Sequence, residues 1–308
     1  MCSLFGWLDY QGIVPYRIKK KLTQALANAA EERGTDAAGI SYVHGKDVVI
    51  FKRPKPAHKL HFSIPEGTAA VMGHTRMTTQ GDGKHNYNNH PFPGLAGETS
   101  FAFAHNGVLW NDKELRKENI IPDTHIETDS YAACQLIEAQ QKLDFKSLRY
   151  MAKTVEGNFT FSILDEHNSL YIIKGSNPMC LLHFPVLGLY IYASTESIMK
   201  KALQRSVFTS SLWNGLKQTR AIYYASIVPV ILHVLSLSQR YTVQNMEAGM
   251  IMTTLPIITC TKKYFSPTAA AMALAARMLS SFWSTATPAM KLRRCLWIRT
   301  CSMRLFVT

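Results

Sequence analysis

The sequence predicts an α+β protein in which sheets are covered by layers of helices over residues 1–205, followed by a stretch of different character, 206–308. Two observations lead there. Short apolar runs with strand-like alternation outnumber helical patterns in the first two-thirds, and many strands between a few helices suggest layered sheets. Near residue 205 composition and charge change together.

The elements follow in order. "SLFGWL" is an apolar first strand. "YRIKKKLTQALANAAEERG" places Ile18, Leu22, Ala25, Leu26 and Ala29 on one helical face, with Gly34 as the stop signal. "AGISYVHG" and "KDVVIFKR" pair as strands across His44-Gly45, and "TAAVMGHTRM" supplies another strand. "SFAFAHNGVLWN" alternates and holds Asn106-Gly107, a strong hairpin signal. "TDSYAACQLIEAQQK" is helical, with Thr128 or Asp129 placed to cap it. "NFTFSILD", "SLYIIKG" and "LYIYAST" add three strands, and "ESIMKKALQR" closes the segment as a helix.

With 308 residues and 47% hydrophobic side chains, the chain can bury a sizeable core. The net charge of +13 suggests a nucleic-acid partner only until its distribution is seen. Residues 1–205 carry 23 basic and 20 acidic side chains, whereas 206–308 carry 11 and one. The basic character therefore belongs to the tail, and no nucleic-acid partner is expected. One acid in 103 residues is unusual for a soluble domain, whose surface mixes both signs. A stretch translated in a shifted frame or fused on would have that composition; a membrane-surface or nucleic-acid-binding extension is the alternative. The apolar segment 221–238 contains Pro229 and His233 and is a weak membrane candidate, so no membrane association is expected. Asp9 interrupts the first apolar run, which argues against a leader peptide. Six widely spaced cysteines form no CxxC pair, so the expectation is a reducing, cytoplasmic setting with no disulfide framework or zinc site.

Cys2 is either an incidental buried cysteine on a first strand or a nucleophile at a chain terminus. On position alone the former is favoured. With Met1 removed, its thiol and a free α-amine have unperturbed pKa values of roughly 8.5 and 7.7–8.0, close enough for the amine to accept the thiol proton. Arg76 in "GHTRMTTQG" ends an apolar strand, where it clamps a carboxylate or is an ordinary surface arginine. Asn106 and Gly107 offer a side-chain amide and a backbone N–H to an oxyanion, or form a type I′ turn. Asp129 in "HIETDSY" holds an ammonium group or caps the helix. "RGTDAAGI", with Asp36, is more plausibly structural. The polar loop "QGDGKHNYNNHPF" is a lid or a connection. His74, His85 and His90 match no standard metal spacing, so no metal is expected.

The joint order is more specific than any one signal. A near-terminal Cys followed by RGTDAAG, GHTRMTTQG, NNHPF, HNGVLWN, ETDSY, VEGNFTFSILD and YASTES resembles the class II glutamine amidotransferase domain. That domain is an N-terminal-nucleophile hydrolase, and the resemblance runs from Cys2 to about Arg205. It implies a four-layer αββα sandwich. It implies Cys2 as nucleophile, Asn106 and Gly107 as oxyanion hole, Arg76 and Asp129 as partners of the α-carboxylate and α-ammonium of L-glutamine, and Thr79 and Gln80 in the segment covering the substrate. No cofactor is required, and ammonia would pass to a separate synthase subunit or domain. Ser3 follows Cys2 where the best-known members have glycine, and Met77 follows Arg76 where the synthase members have tryptophan. The alternatives are another N-terminal-nucleophile amidohydrolase, or a non-catalytic binding protein if Met1 is retained.

Overall fold

Side chains on a strand alternate between its two faces, so a strand buried throughout must be covered on both sides. Strand β1 (Ser3–Asp9) meets that condition. Its odd-numbered Phe5 and Trp7 enter one apolar layer, and its even-numbered Leu4 and Leu8 enter another. The computed structural model describes residues 2–205, together with short strands at 220–223, 230–234 and 242–245.

Helix α1 (Tyr16–Ala30) lays Leu22, Ala25, Leu26 and Ala29 into the layer that holds Phe5 and Trp7, with Ile18 packed at its edge. Past a short 3₁₀ turn comes Gly34, whose backbone is extended. Glycine is needed there for a close approach: a Cβ would stand 2.6 Å from both the Arg76 carbonyl oxygen and the Met77 nitrogen. Strands β2 (Ala37–His44) and β3 (Asp47–Arg53) form the expected hairpin, and Gly45 takes the left-handed turn position at φ +66°. Strand β4 (Ala70–Arg76) lies between β1 and β2, antiparallel to both.

Strand β5 (Phe92–Ala96) turns through Gly97 into β6 (Thr99–Leu109). Then come α2 (Asp112–Lys117), α3 (Ser130–Ala139) and α4 (Phe145–Thr154). Strands β7 (Gly157–Asp165), β8 (Leu170–Lys174), β9 (Cys180–Phe184) and β10 (Leu189–Ala193) lead to α5 (Glu196–Arg205). Strands β11 (Arg220–Tyr223), β12 (Val230–Val234) and β13 (Thr242–Asn245) complete two sheets, ordered β11-β9-β10-β1-β4-β2-β3 and β13-β12-β8-β7-β6-β5.

Three apolar layers hold these parts together. Helices α1 and α5 cover the outer face of the first sheet, with Ile198, Met199, Ala202 and Leu203 joining Phe5, Trp7 and Ile191. Helices α3 and α4 cover the second, with Leu136, Ile137, Leu148 and Met151 against Phe101, Phe103, Phe161 and Ile163. Between the sheets lie Leu4, Leu8, Met72, Ala102, Ala104, Leu164 and Leu181. Each fully buried Leu or Phe contributes roughly 1.5–3 kcal/mol. The result is the four-layer αββα sandwich.

Two expectations change. Asn106-Gly107 is not a hairpin turn; it lies inside the 11-residue β6, paired with Thr160 and Phe159 of β7. Gly107 has φ +155°, and a Cβ would run into the Asn158 carbonyl, so its glycine serves a strand distortion. Asp129 occupies the N-cap position of α3 with helical φ and ψ and makes no capping hydrogen bond. The apolar segment 221–238 contains β12, which pairs with β8, and most of β11, which pairs with β9; its remaining residues lie outside the described ones, as does most of 206–308. Among the described residues no helix is long and apolar enough to cross a membrane.

Candidate active site

Strand parity gathers the candidate residues. Cys2 has the parity of Leu4 and Leu8, Arg76 that of Ala70 and Met72, and Asn106 that of Ala102 and Ala104, all directed between the sheets. Ser3 pairs with Thr75, so continuing that register by one residue sets Cys2 beside Arg76. Two hydrogen bonds cross between the sheets at this end. His74 Nε2 donates to the His105 carbonyl at 2.9 Å, and Asn106 Nδ2 donates to Ser194 Oγ at 3.4 Å.

The Cys2 thiol is buried and contacts the Met77 carbonyl at 3.5 Å. Burial pushes its pKa up; the nearby Arg76 guanidinium pulls it down and the Asp129 carboxylate adds to the rise. Cys2 is therefore electrostatically coupled to both charged candidates.

Arg76 is buried with 3% exposure, which removes the surface-arginine alternative. Its Nη1 donates to Asn89 Oδ1 at 2.7 Å, and its Nη2 to the carbonyls of Gln80 at 2.6 Å and Gly81 at 3.3 Å. Burial lowers its pKa, and Cys2, Asp36 and Asp129 oppose that shift. The polar loop after Arg76 is strapped down. Glu127 Oε2 accepts from Asp82 N at 3.0 Å and Asn88 Nδ2 at 2.7 Å, and the Gln80 side chain donates to Asp112 and to the Glu127 carbonyl.

Asp129 is buried, and its Oδ2 accepts the Leu109 backbone N–H at 2.6 Å. Burial raises its pKa and the Leu109 hydrogen bond partly reverses that. A buried carboxylate with spare lone pairs is a ready partner for a cation. His105 Nδ1 and Ser130 Oγ lie 2.8 Å apart, joining the residue before Asn106 to the residue after Asp129. Burial lowers His74 and His105 to about 3 and His90 well below 6.5, so these rings are neutral near pH 7. Among the described residues no group of three or more His, Cys, Asp or Glu side chains is placed to hold a metal ion.

The structure thus brings Cys2, Arg76 and Asn106 to one end of the inter-sheet layer, with Gly107 next to Asn106 on β6 and the Asp129 carboxylate acting on the charges of Cys2 and Arg76. Gln80 belongs to the strapped loop, whereas Thr79 is exposed. Sequence reasoning gives no role to Asn88, Asn89, Glu127 or Ser194. For Asn88 and Asn89 the available signal is two adjacent amides in a loop beside a strand-ending arginine.

Residues 1–163 match the family described as class-II glutamine amidotransferases. Curated relatives include a glutamine–fructose-6-phosphate aminotransferase (isomerizing) of Staphylococcus aureus, 30% identical over 194 residues, covering 59% of this chain and 30% of that protein. The Staphylococcus epidermidis counterpart is 29% identical over 188 residues, covering 58% and 30%. The chain thus spans about a third or less of the length of these relatives. A solved glutamine phosphoribosylpyrophosphate amidotransferase from B. subtilis, complexed with ADP and GMP, superposes with TM-score 0.60 at 17% identity, over 81% of this chain and 50% of that one. A structure described as the allosteric regulatory enzyme of purine biosynthesis gives TM-score 0.63 at 16% identity, with the same coverage. These two similarities bear on the fold.

Proposed function

The chain belongs to the class II glutamine amidotransferases, and on that premise we propose that it hydrolyses the side-chain amide of L-glutamine through Cys2, giving glutamate and ammonia. The observation that carries this reading is the convergence of Cys2, Arg76 and Asn106 at one end of the inter-sheet layer, with Asp129 coupled to the thiol.

In the proposed reaction Arg76 pairs with the α-carboxylate of glutamine and Asp129 with its α-ammonium group, which presents the amide carbon in one orientation. Asn89 and the Gln80 and Gly81 carbonyls hold the guanidinium in place. With Met1 removed, the Cys2 α-amine takes the thiol proton and the thiolate attacks the amide carbon. A C–S bond forms, and the carbonyl electrons move to oxygen, facing the Asn106 amide and the Gly107 N–H; one such donor contributes roughly 3–4 kcal/mol. The α-ammonium returns its proton to the leaving nitrogen, the C–N bond breaks and ammonia departs. Water, deprotonated by the same amine, attacks the thioester; the C–S bond breaks, glutamate leaves and the thiol is restored.

Ammonia then passes to a synthase domain or subunit. The length of the relatives, more than three times the matched segment, supports an acceptor outside residues 1–205. The cytoplasm is the proposed setting, supported by Cys2, Cys134 and Cys180 being free thiols. The test is glutamate release from L-glutamine by the full chain and by its Cys2→Ala variant. Turnover by the wild type alone is expected; undiminished turnover by Cys2→Ala refutes the reading.

A further inference from the structure

The "YASTES" stretch brings the hydroxyls of Ser194, Thr195 and Ser197 to the junction of β10 and α5, and of these three only Ser194 is buried. Thr195 and Ser197 bond Glu32, and Thr195 Oγ1 also accepts the Ile198 N–H, which secures the start of α5. Ser194 has the parity of Tyr190 and Tyr192 in the inter-sheet layer and is fully buried.

Its hydroxyl meets two strands. The β1–β10 ladder includes the pair Phe5↔Ala193. One step further, Ser194 N donates to the Leu4 carbonyl at 2.9 Å, while the Leu4 N–H goes to Ser194 Oγ at 2.8 Å. Leu4 is two residues from Cys2 on the same face. The same Oγ accepts Asn106 Nδ2 at 3.4 Å, and two lone pairs suffice for both donors. Asn106 Oδ1 is buried with no partner among the described residues, and the remaining anchor, Asn177 Nδ2 at 2.7 Å, holds the Asn106 backbone carbonyl. The terminal torsion of an asparagine is broad, so the Ser194 contact sets how the amide plane is turned.

We propose that Ser194 is a positioning residue: its hydroxyl oxygen ties the Asn106 amide to the strand that carries Cys2, and so aims the second amide N–H at the developing oxyanion. The inference rests on the glutaminase reading above. Ser194 itself touches neither glutamine nor the reacting sulfur. Its effect therefore falls on the chemical step and leaves binding of the amino-acid end to Arg76 and Asp129 unchanged.

Kinetics of the full chain test this with Ser194→Ala, Asn106→Ala and the double variant, alongside alkylation of Cys2 by iodoacetamide. Ser194→Ala is expected to lower kcat by about tenfold, a part of the ~100-fold or greater loss that follows removal of an oxyanion donor. KM for glutamine and the alkylation rate stay at wild-type values. In the Asn106→Ala background, Ser194→Ala has no further effect on kcat, because it acts through that amide. An unchanged kcat, a rise in KM in its place, or the same tenfold loss in both backgrounds overturns the proposal. Should Ser194→Ala not fold, Ser194→Cys, which keeps the shape with a poorer acceptor, carries the same outcomes. A wild type without glutaminase activity overturns both readings; a Cys2-dependent wild type with Ser194→Ala at full kcat overturns this one alone.

Discussion

The layer between the two sheets is built from one alternation and two chemistries. Along most of its length the inward side chains are Leu4, Leu8, Met72, Ala102, Ala104 and Leu164, which pack against one another. At one end the same strands turn in Cys2, His74, Arg76, Asn106 and Ser194. Polar atoms there are buried without a full set of partners: His74 Nδ1, both His90 nitrogens and Asn106 Oδ1 have none among the described residues. Unpaired buried groups are costly. The apolar stretch supplies the stability that lets the other end keep its polar groups in place, so stability and chemistry are divided along a single layer.

That division has a direct test in a pair of substitutions. Asn106→Ala should lower kcat for glutamine hydrolysis by roughly 10²–10³-fold with little change in melting temperature. Met72→Ala should cost about 2–5 kcal/mol of stability and keep kcat per folded molecule. Steady-state kinetics and denaturant titration on both proteins check this. If Asn106→Ala unfolds the protein at unchanged activity, or Met72→Ala abolishes turnover in a folded one, the two ends are not distinct.

Acid stability gives a smaller effect. Burial lowers His74 and His105 to about 3 from the ordinary 6.5. Between those values the unfolded chain binds protons on these rings that the native state does not. Stability should therefore be unaffected by them above about pH 6.5 and fall as the pH drops toward 3, by up to about 1.4 kcal/mol per pH unit for each ring. Urea titrations at stepped pH measure the slope, and His105→Gln should flatten it. An unchanged slope in His105→Gln would show that this ring does not contribute to the loss of stability in acid.

How much of this is legible in the sequence depends on whether a residue's local pattern agrees with its tertiary setting. β1, α1, the β2–β3 hairpin and β4 announce themselves by periodicity, because burial on both faces leaves few polar interruptions. β5 is hidden because Pro93 and Gly94 interrupt it, and α2 because "DKELRK" has no apolar stripe. α4 carries a usable signal: Asp144 and Ser147 form a capping box ahead of Leu148, Met151 and Ala152. Asn106-Gly107 misleads for a physical reason. The dipeptide favours tight turns, yet here Gly107 is required because the Asn158 carbonyl occupies the space of a Cβ. The candidate site is legible through the order of its motifs. Its supports are not: Asn89 acts on Arg76, and Ser194 meets Asn106, across 13 and 88 residues that no local pattern spans.

The central claim is that Cys2 is the nucleophile and its own amine the base. The most direct measurement is the intact mass of the protein, acid-quenched during turnover of L-glutamine, with the adduct then located by peptide mapping. The account predicts a chain that starts at Cys2 and carries a γ-glutamyl group on that sulfur. Turnover by a chain that retains Met1, or a glutamyl group found on another residue, would contradict it.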